Sequence, residues 1–139
     1  NFDLEASHVL PALLRKAHEA KARGERRLGV WGSGRPRREF LHVDDMADAC
    51  VFLMEQDVGD GYFNVGTGSD VTIRELAETI MKVVGFSGEL VFDASKPDGM
   101  MRKRLDVARL AAMGWRARIG LEEGLRETYA WYCAQPSRS

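Results

Sequence analysis

One segment constrains the fold more than any other. From Thr72 to Gly85 the chain reads TIRELAETIMKVVG. Thr72 and Glu75 stand three apart, the spacing at which each side chain satisfies the other's backbone amide at a helix start. Gly85 supplies the left-handed residue on which helices stop. Immediately before this helix lies GYFNVGTG (61–68), and soon after it ELVFD (89–93). Both are short apolar runs of the strand kind, the first bounded by glycines. A bounded helix between two such runs predicts alternation of helices and short strands.

The same alternation runs through the rest of the chain. SHVLPALLRKAHEAKARG (7–24) reads as a helix with Ser7 as N-cap, Pro11 in its first turn and Gly24 at its end. Its apolar face is Val9, Leu10, Leu13, Leu14 and Ala17. RRLGVWG (26–32) is a strand candidate. So is EFLHV (39–43), with Phe40 and His42 on one side and Leu41 and Val43 on the other. DDMADACVFLMEQD (44–57) is a helix capped by Asp44 or Asp45, its apolar face Met46, Ala49, Cys50, Leu53 and Met54. DVARLAAMGW (106–115) and LEEGLRETYAWYCAQ (121–135) complete the helices, and 136–139 reads as a frayed tail. The fold class is α/β, or mixed α+β.

Composition narrows the partners. Lys and Arg total 20 against 21 Asp and Glu, for a net charge of −1. That balance argues against a general nucleic-acid surface. No apolar run approaches the roughly 20 residues that cross a bilayer. Cys50 and Cys133 lie far apart inside apolar helical patterns, which predicts buried thiols and fits a reducing cytoplasm. The chain opens with NFDL rather than Met, so a fragment or a processed form is expected.

The chemistry concentrates in two basic, glycine-bearing loops. The first is GSGRPRRE (32–39), with Arg35, Arg37 and Arg38. The second is DASKPDGMMRKR (93–104), with Lys96, Arg102, Lys103 and Arg104. Cationic side chains on glycine turns suit a diphosphate, because backbone approaches closely and a guanidinium grips two oxygens. On composition alone, plainly solvated loops are the commoner outcome. Trp31, beside the first loop, is a core residue or a base-stacking platform, and its pattern favours the core. No G-x-G-x-x-G dinucleotide fingerprint and no nucleophile elbow is present. His8, His18 and His42 are scattered over different elements, which predicts no metal site.

VWGSGRPRREFLHVDDMADAC followed by FNVGTGSDVTIRELAETI resembles the C-terminal half of the extended short-chain dehydrogenase/reductase family. SHVLPALLRKAHEA and VFDASKPDGMMRKRLD strengthen the likeness. The resemblance implies that residues 1–135 are the substrate-binding lobe of a nucleotide-sugar epimerase/reductase. The family's N-terminal Rossmann half, with its NADP loop and Tyr-x-x-x-Lys pair, has no counterpart in this sequence. That half would bind most of the NADPH, and the isolated chain would be inactive. The FNVG strand and the helix before it would normally pack on the missing sheet, leaving an apolar face uncovered here. The implied substrate is a GDP-sugar carrying a 4-keto group, and the implied setting is a cytoplasmic homodimer without nucleic acid or membrane.

The resemblance also implies residue roles. His8 would touch the nicotinamide end of NADP and act as the acid in epimerisation, a task suited to a group that titrates near neutrality. Arg38 would bind the nucleotide-sugar diphosphate. Lys16, Trp31 and Lys103 would contact substrate. His42 and Asp44 read as structural, and Arg35 and Arg37 as solvated. Two other readings stay open: the lobe of a nucleotide-sugar 4,6-dehydratase or 4-epimerase, against which ASKPDGMMRK argues, and a non-catalytic nucleotide-sugar binding module.

Overall fold

The computed structural model describes Phe2 and residues 8–135. The predicted central helix forms as read: α3 spans Ile73–Val84, with the Thr72–Glu75 capping box closed in both directions and Gly85 left-handed at its end. Its buried stripe of Leu76, Ala77, Ile80 and Val84 is the centre of the larger core. Helix α1 (Val9–Ala22) contributes Leu13, Leu14, Ala17 and Ala20, and α5 (Leu121–Ala134) contributes Leu125.

Strand β1 (Arg27–Trp31) covers this layer. It buries Leu28 and Val30 and turns Arg27, Gly29 and Trp31 outward. In chain order, β2 is Arg37–Arg38, α2 is Val43–Met54 and β3 is Val71–Thr72, the last directly before α3. After it come β4 (Glu89–Asp93), β5 (Arg102–Lys103) and α4 (Ala108–Ala112). β1 pairs with β4 in parallel, Trp31 opposite Asp93. A separate three-stranded sheet has the order β3-β2-β5, with Arg38 between Val71 and Lys103. A smaller core of Ala49, Leu110 and Trp115 joins α2 to α4, and the Trp115 indole donates to Asp48 at 2.8 Å.

Carboxylates tie the loops of the small sheet together. Asp70, whose side chain is 4% exposed, accepts from Arg37 at 2.9 Å and from Arg102 at 2.6 Å. Glu39 accepts from the amides of Thr67, Gly68 and Leu105, which fastens the 67–68 turn and β5 to the chain beyond β2. Buried Asp45 accepts from the amides of Arg118 and Ile119, fixing the approach to α5.

Several expectations are corrected. EFLHV is not a strand. His42 occupies the N-cap of α2, and its ring accepts from the Asp44 amide at 3.3 Å. The cap is therefore neither Asp44 nor Asp45, both of which lie in the first turn, where carboxylates favour a helix N-terminus. GYFNVGTG joins no ladder among the described residues, because no neighbouring strand offers it backbone partners. On α2, Ala49 is buried and Leu53 half-buried, but Met46, Cys50 and Met54 face outward. Cys50 and Cys133 are both exposed free thiols, not buried ones, because each lies on the outer face of its helix. His8 holds the N-cap position of α1. Ser7 and the expected frayed tail lie outside the described residues.

Two stability outcomes follow from this packing. Ile80 is fully buried, so Ile80→Ala costs about 2–5 kcal/mol, measurable by urea unfolding. A loss under 1 kcal/mol would refute the placement of α3 at the centre of the core. Hydrogen bonds from Arg102 and then Arg37 hold the Asp70 carboxyl below the usual carboxylate range. A carboxyl depressed in the fold stabilises it fully above the ordinary value of about 3.9 and loses that contribution as pH falls through the folded value. Asp70→Asn therefore melts below the parent at pH 7, and the gap narrows as the pH drops below about 4. Melting curves whose separation stays constant through that range would refute the tie.

Candidate functional site

Adjacent residues on a strand point to opposite faces, and β2 uses this to divide two arginines. Arg37 faces Asp70 and donates from Nε to Oδ1 and from Nη2 to the Asp70 carbonyl, both at 2.9 Å. It is a structural tie and not the solvated residue expected from sequence. Arg38 faces the other way. Its Nη1 donates to the Arg37 carbonyl at 2.8 Å, and no carboxylate among the described residues comes within ion-pair reach of its guanidinium. It is half-buried and lines a cavity of about 210 Å³. Phe40, Thr67, Ser69, Val71 and Ile119 also line that cavity, and no acidic residue does. The parallel register sets Lys103 beside Arg38 on the same sheet face.

A second cationic group forms at the end of β1. Trp31 is 64% exposed, which corrects the core placement its pattern favoured. The alternation of β1 puts it on the outward face, opposite Leu28 and Val30. Lys16 Nζ, from α1, lies 5.3 Å from the ring centroid, and Lys96 Nζ, from the loop after β4, lies 5.4 Å away. Cations at this range are attracted by the ring's negative face.

The GSG turn between the two groups is closed. Gly32 and Gly34 take φ of +83° and +76°, which glycine adopts without strain. Asp98 accepts from both the amide and the hydroxyl of Ser33, at 2.6 and 2.7 Å. A side chain at Gly32 would meet Asp98, and one at Gly34 would meet the Phe92 ring. The glycines thus admit neighbouring protein, and β2 follows the turn instead of a helix N-terminus. This loop does not have the form of a dinucleotide cradle.

The sequence-predicted residues therefore fall into three places. Lys16 and Trp31 meet at the end of β1. Arg38 and Lys103 share a face of the small sheet. His8 is exposed at the start of α1, roughly two turns before Lys16. His42 caps α2, as its structural reading implied. It also brings Asp44 and Glu127 near, three possible metal-ligand atoms within 4.8 Å. Its Nδ1 is taken by the cap bond, and its Nε2 lies 3.6 Å from Glu127, so the imidazole joins α2 to α5. Sequence reasoning missed Asp70 and Glu39 as organisers. Neither carries a local signal, since their side-chain partners lie 28 or more positions away.

The chain is similar to several known proteins over most of its length. Residues 1–66 match the NAD dependent epimerase/dehydratase family. GDP-L-fucose synthase of Escherichia coli K12 is 54% identical over 147 aligned positions, which cover 99% of this chain and 46% of that protein. GDP-L-fucose synthase 1 of Arabidopsis thaliana is 55% identical over 132, covering 95% of this chain and 41% of that one. The solved GDP-L-fucose synthetase of Naegleria fowleri superposes with a TM-score of 0.90 at 31% identity, over 96% of this chain and 41% of its own. A second structure of that protein is bound to NADP. The chain thus spans less than half the length of these relatives, and it corresponds to their C-terminal part. By sequence and by fold the chain is similar to that part of the GDP-L-fucose synthases, and its first 66 residues resemble the NAD dependent epimerase/dehydratase family.

Proposed function

We propose that residues 1–135 form the substrate-binding lobe of a nucleotide-sugar epimerase/reductase that converts GDP-4-keto-6-deoxy-D-mannose to GDP-L-fucose with NADPH. The observation that carries this reading is the contrast within β2. Arg37 is paired with a buried carboxylate, whereas half-buried Arg38 faces a cavity without one. Withdrawing a guanidinium from water without an anionic partner is costly, so such a group suits an anionic ligand. A diphosphate offers that anion, and Lys103 and the Lys16–Trp31 pair supply further contacts for substrate.

NADPH supplies the hydride for reduction when bound. The described residues do not fit a cradle for its pyrophosphate, because the glycine turn after β1 is filled by Asp98 and Phe92. The cofactor's main binding groups are accordingly assigned to chain outside this sequence. Exposed His8 would contact the nicotinamide end of the cofactor and is the proposed proton donor during epimerisation. The reading places the enzyme in the cytoplasm as a homodimer, without nucleic-acid or membrane partners. No helix among the described residues is long and apolar enough to cross a membrane.

The outer face of α2 supports a further domain covering it. Val43, Val51 and Met54 are exposed there, with Tyr62 exposed nearby in the unpaired 61–68 segment. Contiguous apolar patches of several hundred Å² promote association. In isolation the 15.6 kDa chain is expected to scatter light as a dimer or larger species, and the double variant Val51→Glu with Met54→Glu as a monomer. A monodisperse parent monomer at high concentration would count against a covered face.

Titration calorimetry with GDP tests the substrate reading. Arg38→Ala should weaken binding about 10–100-fold, the value of one or two charge-assisted bonds. Arg38→Lys should recover part of the loss, keeping charge but not the planar fork. Arg37→Ala should lower the melting temperature instead. Unchanged affinity in Arg38→Ala, with reduced thermal stability, would assign Arg38 a structural role and remove the basis of the proposal.

A further inference from the structure

The loop carrying Lys96 is built against Trp31 by the backbone. The Asp93 carbonyl accepts from both Gly32 N at 2.9 Å and Lys96 N at 3.2 Å, so one oxygen fixes the end of the Trp31 strand and the turn that presents Lys96. Asp93 Oδ1 takes the amide and hydroxyl of Ser95, at 3.0 and 2.6 Å, which closes that turn. Lys96 therefore reaches the indole from a tied loop. Lys16 reaches it from α1.

Two ammonium groups thus lie within 5.4 Å of one exposed ring centroid, and the ring face offsets only part of their positive charge. Neither lysine forms a salt bridge with a described carboxylate. Asp93 attracts Lys96 at longer range, but its Oδ1 is held by Ser95, and Asp98 is held by Ser33. A ligand with negative charge beside the exposed indole would complement both ammonium groups. A nucleoside diphosphate has this form: a flat apolar body joined to a dianionic or trianionic group.

We propose that Lys96 is a further substrate-positioning residue, which with Lys16 brackets Trp31 and contacts the phosphates of a nucleoside diphosphate whose body rests against the indole. The inference rests on the nucleotide-sugar reading above. It adds a phosphate contact from the loop after β4, spatially distinct from Arg38 on β2.

Calorimetry with GDP, guanosine and inorganic pyrophosphate on the 139-residue chain tests it, with Lys96→Ala, Lys96→Arg and Arg38→Ala compared. Lys96 is exposed and makes no core contact, so melting temperatures should match the parent. Lys96→Ala should weaken GDP and pyrophosphate about tenfold, leave guanosine unchanged and flatten the salt dependence of GDP binding. Lys96→Arg should restore most of the affinity. Parent-like GDP binding by Lys96→Ala, with Arg38→Ala impaired, overturns this inference and leaves the nucleotide-sugar reading standing. Equal losses for GDP and guanosine also overturn it, since Lys96 would then only hold the indole. Failure of the parent chain to bind GDP overturns the nucleotide-sugar reading, and this inference with it.

Discussion

The buried carboxylate of Asp70 is the constraint on which the small sheet depends. β2, β3 and β5 are two residues long each, too short for ladder bonds alone to hold them. Asp70 stands one residue before β3 and takes a guanidinium from each of the other two strands, Arg37 from β2 and Arg102 from β5. Three minimal strands thereby act as one sheet. Removing the Asp70 carboxylate would leave two guanidinium groups facing each other without a counter-charge at the junction, which ties the three strands to one residue. Because Arg37 is held on this face, Arg38 must project from the other. The placement of the anion-seeking guanidinium is thus a by-product of the tie that holds the sheet.

The remaining carboxylates extend the same logic to the loops. Glu39 clasps the 67–68 turn and the end of β5, Asp45 fixes the approach to α5, and Asp98 staples the GSG turn. Each accepts backbone amides that would otherwise lack partners in irregular chain. Several acidic side chains are drawn inward as acceptors, while Lys16, Lys96, Arg38 and Lys103 form no salt bridge among the described residues. The near-neutral total charge conceals this division. A balanced composition coexists with two local cationic groups, since what matters is which charges are already paired.

Much of the fold was legible because its signals are local. The α3 capping box, the glycine ends of α1 and α3 and the strand character of β1 each involve residues within a turn or two of one another. What was not legible depends on distant partners. EFLHV and GYFNVGTG have strand-like composition, but the first yields to the His42 cap and the second has no neighbouring strand. The apolar residues of α2 were read as one buried face because periodicity cannot say which neighbour covers them; α4 covers Ala49, and Met46 and Met54 remain outside. In the candidate site, the pairing of Lys16 with Trp31 became visible only when β1 turned the indole outward. Arg37 was read as solvated because nothing near it in sequence announces Asp70.

The architecture gives the two cationic groups different mechanical character. Arg38 sits on a strand braced on both sides, its neighbour Arg37 pinned and Val71 and Lys103 in register with it. Its guanidinium has little freedom to lose when it meets an anion, and a planar fork so held selects for geometry as well as charge. Lys16 and Lys96 have flexible stems, and their positions are biased mainly by attraction to the Trp31 ring. They can follow a ligand that shifts along the indole while keeping a compact charge near its phosphates. A rigid fork and a pair of adaptable ammoniums are complementary means of holding a diphosphate whose two ends belong to different groups. Specificity of position would then come from Arg38, and tolerance of motion from the lysines around Trp31.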